Sequence, residues 1–277
     1  MDFNKSIFEN RKSGVPFLVS HRGVNCANVP CNTMLAFKTA IAQGADVVEL
    51  DVSKSRDGVF FVFHPGTEKV FLKCGKTIPE MDCEEVKNCR LLNLDEVPTH
   101  YGIPTLEEAF LYLKGKAYIN VDKFWTDIEG ISEVIKKCGV EKQVIVKTPV
   151  EEKYFKQIEE YAREFMYMPL TRHTDTVTEI LRGRNINYIG VEAIFDTVND
   201  EVATADYIER MHQKGLLVWA NSIVYDEKEV VSAFLTDDIS LECGGERGWG
   251  VLIDRGFDFI QTDWLYALKC YLESNKK

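Results

Sequence analysis

The sequence predicts an α/β fold, specifically a (β/α)8 (TIM) barrel with a β-hairpin and an irregular insertion after its second strand. Short apolar segments of strand length alternate with helical patterns along the chain, which is typical of a parallel sheet. Eight such strand–helix units can be distinguished, which favours a closed barrel over an open sheet. The length of 277 residues suits one barrel domain of typically ~250 residues. No GxGxxG motif follows the first strand, which argues against dinucleotide binding.

The strands and helices can be placed along the chain from the period of the apolar residues. The predicted strands are Phe17–His21, Asp46–Val52, Ala117–Asp122, Gln143–Lys147, Phe165–Pro169, Asn187–Val191, Leu216–Asn221 and Asp258–Thr262. The predicted helices are Thr33–Gln43, Leu106–Lys114, Ile128–Lys137, Glu151–Glu164, Thr174–Arg182, Glu201–Lys214, Glu227–Leu235 and Trp264–Glu273. We expect residues 1–277 to form a single domain.

The segment after the second strand breaks this alternation. Asp57-Gly58 is a hairpin signal, and it predicts that the run Val59–His64 folds back and brings His64 beside Glu49 and Asp51. Residues 65–104 then show no clean period, and we expect them to form an insertion packed over one rim of the barrel. Long irregular segments of this kind are often functional lids, but a purely structural excursion fits the pattern equally well.

The composition restricts the partners and the compartment. The net charge of -11 argues against nucleic acid or an anionic membrane as a main partner, and an anionic substrate would need local positive charge. No run approaches the ~20 apolar residues of a membrane span, and the N-terminal segment has no apolar run of signal-peptide length. The eight scattered cysteines include no CxxC pair and are expected to be free thiols. A cytoplasmic location is therefore expected.

Three carboxylates are predicted to converge at one end of the barrel. Alternate residues of a barrel strand point inward, and active sites gather at the C-terminal ends of the strands. Glu49 and Asp51 share a face of the second strand, and Asp122 is the last residue of the third. Such a trio would repel strongly unless compensated, and Mg²⁺ and Ca²⁺ prefer oxygen ligands of this type. Ion pairs with Arg or Lys at the strand ends are the structural alternative.

Two histidines are predicted at the same end of the barrel. His21 is last on the inward face of the first strand, and His64 ends the hairpin. Histidine is suited to proton transfer near neutral pH, and a pair can serve as acid and base on either side of a phosphorus centre. His100, His173 and His212 are expected to be merely hydrogen-bonded.

Several motifs carry a resemblance to a known family. SHRGVNCANVPCNTMLAFKTAIAQGADVVELDVSKSRDGVFFVFHPGT resembles the N-terminal signature of glycerophosphodiester phosphodiesterases. The matching elements are HRG, P-x-N-T, GAD, ELDV, K-x-x-DG and FHP. IPTLEEAF at Ile103–Phe110 and INVD at Ile119–Asp122 are also similar, and VWAN at Val218–Asn221 and FIQTDW at Phe259–Trp264 are weaker matches.

The resemblance implies a TIM barrel, a bound Mg²⁺ or Ca²⁺ ion and the hydrolysis of a glycerophosphodiester to glycerol phosphate and an alcohol. A small-molecule phosphodiester is then the expected partner. In the implied assignment a histidine pair acts as acid and base, three carboxylates hold the metal and an arginine contacts the phosphate through its guanidinium fork. These residues are, respectively, His21 and His64; Glu49, Asp51 and Asp122; and Arg22.

Three positions depart from the family pattern. Cys31 stands in place of the glutamate of the PENT segment, and Asp122 is one methylene shorter than the usual glutamate. The lysine two residues after that ligand is replaced by Phe124. Lys123 would lie on the opposite face if its strand runs regularly. We therefore predict that Lys147, the last inward residue of its strand, contacts the phosphate, although a surface lysine at a loop start is the alternative.

The substrate and the kind of activity are less closely defined. Trp219, inward and near its strand end, is expected to line the pocket against a sugar, glycerol or headgroup, with a buried core tryptophan as the alternative. Asp122 is also reminiscent of sphingomyelinase D-like enzymes, so a lipid phosphodiesterase of that or the phosphatidylinositol phospholipase C type stays open. Cys31 and Phe124 leave open a non-catalytic binding protein on the same barrel. No exposed apolar or basic run for membrane docking is evident, which favours a soluble diester.

Overall fold

The fold is organised around a curled parallel sheet, seen in a computed structural model that describes residues 7–9, 14–224 and 228–275. The strand order is β6-β5-β4-β2-β1-β10-β9-β8-β7, and β3 pairs antiparallel with β2 outside this path. This arrangement is an α/β fold of the TIM-barrel-like type. The strands are β1 Phe17–Ser20, β2 Val47–Lys54, β3 Phe60–Val62, β4 Tyr118–Asp122, β5 Val144–Val146, β6 Met166–Tyr167, β7 Leu170–Arg172, β8 Gly190–Ile194, β9 Leu217–Asn221 and β10 Phe259–Thr262.

Strands β6 and β7 belong to one segment that forms backbone hydrogen bonds with β5 on one side and with β8 on the other. The Met168 amide donates to the Val146 carbonyl at 3.1 Å, beside β5. On the other side, the Glu192 amide of β8 donates to the Pro169 carbonyl at 3.0 Å. Proline has no N–H to contribute to a ladder, which explains why the strand is interrupted at this point. The segment therefore hydrogen-bonds to the strands at both ends of the order.

Helices follow most of the parallel strands and pack on the outside of the sheet. Threonine side chains accept a backbone N–H at the start of several helices, for example Thr33 from Ala36 at 3.2 Å. The α-helices are Met34–Gln43, Glu68–Phe71, Cys83–Asn88, Leu106–Leu113, Ile128–Cys138, Glu152–Tyr161, Thr178–Arg182, Ala205–Gln213, Asp237–Cys243, Trp249–Arg255 and Leu265–Ser274. Short 3-10 turns occupy Ile78–Glu80, Phe124–Thr126, Glu201–Ala203 and Gly245–Arg247.

An apolar cluster fills the interior of the sheet below the strand ends. Its members come from the inward faces of most strands, and its aromatic rings stack: Phe17 on Phe259 at 4.8 Å and Trp219 on Phe259 at 4.9 Å. This part of the interior is packed with apolar side chains, and the polar residues that line the cavity lie nearer the C-terminal ends of the strands. The site is therefore confined to that end, as the rule for such folds predicts.

The hairpin prediction is confirmed, and the segment that follows has its own small core. Val52 of β2 pairs antiparallel with Val62 of β3, and the Phe63 amide donates to the Asp51 carbonyl at 3.1 Å. Residues 65–104 contain two short helices and a 3-10 turn rather than only irregular chain. Their apolar side chains pack with the hairpin in a separate cluster of Phe61, Phe63, Ile78, Met81, Val86, Leu91 and Ile103.

One predicted helix is wrong. Glu227–Leu235 was expected to be helical from its sequence, but residues 228–235 form no helix, and Phe195 makes a parallel bridge with Ser232. The helix begins instead after Thr236, whose hydroxyl accepts the Ile239 amide at 3.3 Å. The local N-cap at Thr236 and the long-range bridge to Phe195 together outweigh the apolar pattern of the segment. The sequence analysis also missed strand β7 and the helix Trp249–Arg255.

The cysteines agree with the sequence analysis, and all of the described helices are short. All eight cysteines are free thiols, as the absence of a CxxC pair led us to expect. The longest described helix, Ile128–Cys138, has 11 residues, whereas a membrane span needs about 20. Within the described residues, no helix has the length and apolarity required to cross a bilayer.

Candidate active site

Polar side chains gather at the C-terminal ends of the parallel strands. They line a cavity of about 240 Å³, and most of them belong to the parallel strands or to the one or two residues that follow a strand. Neighbouring parallel strands bring these residues together although they are far apart in sequence. The polar and charged lining residues are His21, Arg22, Glu49, His64, Asn120, Asp122, Lys123, Lys147, Glu192, Asn221, Glu229 and Gln261.

Three carboxylates form a cluster at this cavity, and two of them, Glu49 and Asp122, line it. One oxygen from each of Glu49, Asp51 and Asp122 lies within 4.8 Å of the others. Asp51 of β2 is in register with Asp122 of β4, so the two strand ends present their acids side by side. Burial and the neighbouring charge of Asp51 raise the pKa of Glu49 to about 8. The cluster is therefore short of positive charge, which is the electrostatic condition that a divalent cation relieves.

The hydrogen bonds around Asp51 leave one oxygen available to a cation. Its Oδ2 accepts from Asn32 Nδ2 at 2.8 Å and pairs with Arg22 Nε at 3.0 Å. Its Oδ1 is buried and accepts no hydrogen bond from the part of the chain that the structure describes, and His64 Nε2 lies 3.9 Å away. Hard oxygen donors of this kind suit Mg²⁺ or Ca²⁺, so the residues present fit such an ion.

The HRG turn positions the first histidine and its neighbouring arginine. Arg22 and Gly23 both adopt left-handed backbone conformations, with φ of 56° and 74°. A Cβ on Gly23 would lie 2.7 Å from the backbone of Ala36, so only glycine lets the turn pack against the following helix. In this conformation the Arg22 amide donates to Glu49 Oε2 at 2.8 Å. The turn thus also helps to hold the carboxylate cluster.

His21 is held by a carboxylate that the sequence analysis did not identify. Asp263, directly after β10, places its Oδ1 2.8 Å from His21 Nδ1. Burial lowers the pKa of His21, but the hydrogen bond and the charge of Asp263 outweigh it, so the pKa lies above its usual value. Asp263 belongs to the weak FIQTDW match, and its position after a strand end was the signal that could have found it.

His64 lines the same cavity as His21, as predicted. It follows the hairpin, and its carbonyl accepts the Thr67 hydroxyl at 2.8 Å, which closes the HPGT turn. Burial lowers the pKa of His64, and the nearby Asp51 only partly opposes this effect. The two histidines therefore lie in different electrostatic surroundings within one cavity.

Lys123 enters the cavity, contrary to the expectation for a regular strand. Its φ of 59° ends β4 in a left-handed turn and brings the side chain to the mouth. Its Nζ lies 2.9 Å from Asp122 Oδ2 and 5.1 Å from the centre of the Trp125 ring, and both lysine and tryptophan line the cavity. A lysine one position earlier than in the family pattern thus supplies positive charge beside the third carboxylate.

Lys147 also lines the cavity, but it is already paired. Its side chain is only 2% exposed, which excludes the surface lysine considered as the alternative. Its Nζ forms an ion pair with Glu192 and lies 3.3 Å from the centre of the Trp219 ring. Glu192 in turn accepts from Asn221 Nδ2 at 2.6 Å. Lys147 therefore compensates a buried glutamate in this structure.

Trp219 lies below the cavity rather than in its lining, which corrects the expected contact with substrate. Its side chain is fully buried and stacks on Phe259. Its Nε1 donates to the Oδ1 of Asn221, which lies two residues further along the same strand face and does line the cavity. The prediction that the Trp219 side chain points into the barrel interior was correct. The side chain lies one layer of residues below those that line the cavity. Trp125 is the tryptophan that borders the cavity.

Comparison with known proteins places the chain in a family. The model of the glycerophosphoryl diester phosphodiesterase family matches residues 21–221, which is most of the chain and includes both histidines and all three carboxylates. The chain belongs to the glycerophosphoryl diester phosphodiesterase family. The family resemblance of the HRG, ELDV and FHP motifs is thereby confirmed.

Relatives within the glycerophosphoryl diester phosphodiesterase family match over part of their length. A glycerophosphodiester phosphodiesterase of Caldanaerobacter subterraneus subsp. tengcongensis is 32% identical over 46% of this chain and 50% of its own length. The probable glycerophosphodiester phosphodiesterase 2 of Mycobacterium tuberculosis is 27% identical over 49% of both chains. The chain thus spans about half the length of these relatives.

Solved structures resemble the whole fold at lower identity. A glycerophosphoryl diester phosphodiesterase from Parabacteroides distasonis superposes with a TM-score of 0.77 and 21% identity, over 96% of this chain and 92% of that protein. An Oleispira antarctica phosphodiesterase, solved in complex with the product sn-glycerol-3-phosphate, gives a TM-score of 0.66 and 16% identity, over 95% and 99%. At these identities the likeness establishes the fold.

Proposed function

We propose that this chain is a metal-dependent phosphodiesterase that hydrolyses a glycerophosphodiester to glycerol phosphate and an alcohol. The observation that carries the proposal is that His21 and His64 line one cavity with Glu49 and Asp122, two members of the carboxylate cluster. Two groups able to exchange protons, beside a site for a cation, are what cleavage of a P–O bond with a poor leaving group requires. The names of the relatives and the glycerol phosphate bound to the Oleispira protein support this substrate class.

Glu49, Asp51 and Asp122 would hold the cation, either Mg²⁺ or Ca²⁺. When bound, the cation supplies Lewis acidity at a phosphate oxygen. Asn32 and Arg22 fix Asp51 from the side opposite its buried Oδ1, so the carboxylate keeps its orientation. This support explains why the asparagine of the P-x-N-T segment matters to the site.

The two histidines would carry the protons of the reaction. One accepts a proton from the attacking water as the new P–O bond forms, and the other donates a proton to the alkoxide as the old P–O bond breaks. Asp263 engages Nδ1 of His21, so His21 exchanges protons at Nε2. The overall balance is one water consumed, with one alcohol and one phosphate monoester released.

Three basic side chains would offset the charge of the phosphate. Arg22 lines the cavity beside the carboxylates, as proposed for a phosphate contact. Lys147, which also lines the cavity, would be a second phosphate contact while it keeps its ion pair with Glu192. Lys123 would be a third phosphate contact, because its side chain reaches the mouth of the cavity beside Asp122. Positive charge positioned in this way stabilises charge that develops at the phosphate oxygens.

The domain organisation and the cellular location that we propose are those expected from the sequence. We propose that residues 1–277 act as one closed barrel domain, with 65–104 as an insertion within it. The separate apolar cluster of that segment supports this division. We also propose a cytoplasmic location, because eight free thiols suit a reducing compartment.

The proposal is tested by a screen of glycerophosphodiesters with Mg²⁺, Ca²⁺ or a chelator. Turnover should require a divalent cation and should release glycerol phosphate. His21→Ala and His64→Ala should each lower kcat by about a hundredfold or more, the usual size of a general acid or base contribution. Binding of glycerophosphodiesters without turnover under every metal condition would instead favour the non-catalytic binding protein.

A further inference from the structure

A second, larger groove adjoins the cavity on the side of His21. Its volume is about 800 Å³, and it shares His21 and Arg22 with the cavity described above and also reaches Asp263. Three segments far apart in sequence build most of its walls: the loop after β1, the 65–104 segment and the chain after β10. The groove is therefore an extension of the candidate active site and not an isolated surface feature.

The walls of this groove expose large apolar side chains. Leu94, Trp264 and Tyr266 line it and are 73%, 53% and 61% exposed. Val29, Pro30 and Phe71 add further apolar surface. Single exposed apolar residues are common on proteins, but a cluster that continues from a catalytic cavity marks a place for an apolar ligand.

Formal charge is confined to the end of the groove that meets the cavity. Among its described lining residues, only Arg22 and Asp263 carry acidic or basic groups, apart from the histidine that Asp263 holds. Cys31 also lines it, and burial raises the pKa of this thiol to about 11, so it is neutral near pH 7. A charged headgroup would find no counter-charge along the rest of the groove.

We propose that the groove binds an unbranched hydrocarbon chain carried by the phosphodiester, so that the substrates are glycerophosphodiesters bearing a single alkyl or acyl chain. This inference rests on the proposed function, because it takes the phosphate to sit at the carboxylate cluster. A diester has two substituents. One can occupy the polar cavity beside Lys123 and Asn221, and the other can extend into the apolar groove, which shares His21 and Arg22 with that cavity.

Chain length is the variable that measures this contact. Burying one methylene group strengthens the binding of a chain by up to about fourfold. The factor is about twofold where one side of the methylene stays exposed to water. Two series separate the possible sources of the chain. In one, glycerol phosphate is esterified with n-alkanols from ethanol to octanol; in the other, glycerophosphocholine carries an acyl group of two to eight carbons.

We expect kcat/KM to rise by about twofold or more per methylene in one of the two series, measured below the concentration at which these compounds aggregate. The series that shows the rise identifies the substituent that lies in the groove. A flat dependence in both series, with turnover of the shortest members intact, would overturn the groove proposal and leave the proposed function standing.

A matched pair of variants locates the effect. Leu94→Ser removes exposed apolar surface inside the groove, and the ratio of kcat/KM for the longest and shortest substrate should fall by about fivefold or more. Leu111→Ser removes a 55% exposed leucine of the helix Leu106–Leu113, outside the groove, and should leave that ratio unchanged. Equal ratios in both variants and the parent protein would place the chain elsewhere and overturn the proposal.

A binding measurement keeps the groove testable if no diester is turned over. Calorimetric titration with n-alkyl phosphates from ethyl to octyl should give a Kd that tightens with chain length and that weakens in Leu94→Ser. Absence of turnover with this binding pattern would refute the proposed function but not the groove. Vesicle binding that Leu94→Ser abolishes, together with a Kd independent of chain length, would make the patch a membrane contact and overturn the proposal.

Discussion

The Oδ1 atom of Asp263 lies 2.8 Å from Nδ1 of His21, although the two residues are 242 positions apart in the chain. Strands β1 and β10 are parallel neighbours with Ser20 in register with Thr262, so the residue after each strand meets the other. The contact fixes the orientation of the imidazole ring and directs its Nε2 away from the aspartate. The second histidine, His64, has its Nε2 3.9 Å from Oδ1 of Asp51, and burial lowers its pKa.

Replacing Asp263 with Asn should weaken turnover and shift the pH profile. The amide keeps the size but loses the charge that raises the pKa of His21, so the pKa of His21 should fall. Loss of a hydrogen bond to a charged group typically costs ~1.5–3 kcal/mol, or about ten- to a hundredfold in kcat/KM. The limb of the pH–rate profile that belongs to His21 should move to lower pH. Asp206→Asn, at an exposed helix start, serves as control, and an unmoved profile in Asp263→Asn would rule out the positioning role.

Replacing Glu49 with Gln should change stability in opposite directions with and without metal. Burial and the charge of Asp51 oppose ionisation of Glu49, so the neutral amide should stabilise the metal-free protein. The gain in melting temperature on adding Mg²⁺ or Ca²⁺ should be lost; for a ligand at a hundred times its Kd that gain corresponds to ~2.7 kcal/mol. Glu107→Gln, a half-buried acid outside the cavity that pairs with Lys137, is the control. If metal still stabilises Glu49→Gln by the full amount, Glu49 is not a ligand.

The two lysines of the cavity should respond differently to loss of charge. Lys123→Met removes an amine at the mouth and should lower kcat/KM by about ten- to a hundredfold with little effect on folding. Lys147→Met leaves Glu192 buried without its ion pair, and breaking such a pair typically costs ~3–5 kcal/mol. Thermal melts and steady-state kinetics on both variants separate these effects.

A double variant decides whether Lys147 also serves the substrate. Lys147→Met combined with Glu192→Gln removes the unpaired charge and should restore most of the lost stability. If turnover returns with stability, Lys147 acts through Glu192. If the refolded double variant stays about ten- to a hundredfold less active while Lys123→Met is fully active, the phosphate contact belongs to Lys147 and not to Lys123.

Asp237 should make stability depend on pH. Burial raises its pKa from 3.8 to about 6, despite hydrogen bonds from Ser222, Thr262 and Trp249. The folded protein therefore holds a proton that the unfolded chain loses near pH 4. Stability from this group is full below about pH 4 and is lost as pH rises through 6, by about 3 kcal/mol in all. Compared by denaturant unfolding at pH 4 and pH 7, Asp237→Asn should lack this decline; an identical decline in both proteins would contradict the assignment.

The sequence was sufficient to predict the parts of the site that follow from strand periodicity. Glu49 and Asp51 alternate along one strand, and Asp122 ends its neighbour, so their convergence required only the rule that parallel strands present their C-terminal ends together. The same rule placed His21 and predicted that Trp219 points inward. The rule could not predict how far below the cavity the Trp219 side chain lies. That distance depends on the size of the apolar side chains that every strand contributes to the interior.

Departures from regular geometry were beyond the sequence. The left-handed turn at Lys123 brings a lysine into the cavity that alternation would place outside, and a positive φ at a lysine has no reliable sequence signature. The ion pair between Lys147 and Glu192 depends on two side chains 45 positions apart. The helix expected at Glu227–Leu235 gave way to a bridge with Phe195, a contact that local propensity does not encode.

The sequence by itself determined the family, the parallel α/β fold and the five acids and histidines of the candidate site, because these follow from motifs and from strand period, which are local properties of the chain. Only the tertiary structure decided which side chains partner them. Asp263 reaches His21 because two distant strands are adjacent in the sheet. Leu94 and Trp264 form one apolar groove because the 65–104 segment packs near the end of β10, although neither lies in an apolar run that the sequence would have marked as a docking surface. Proximity between distant segments is a property of the folded sheet, and no local pattern specifies it.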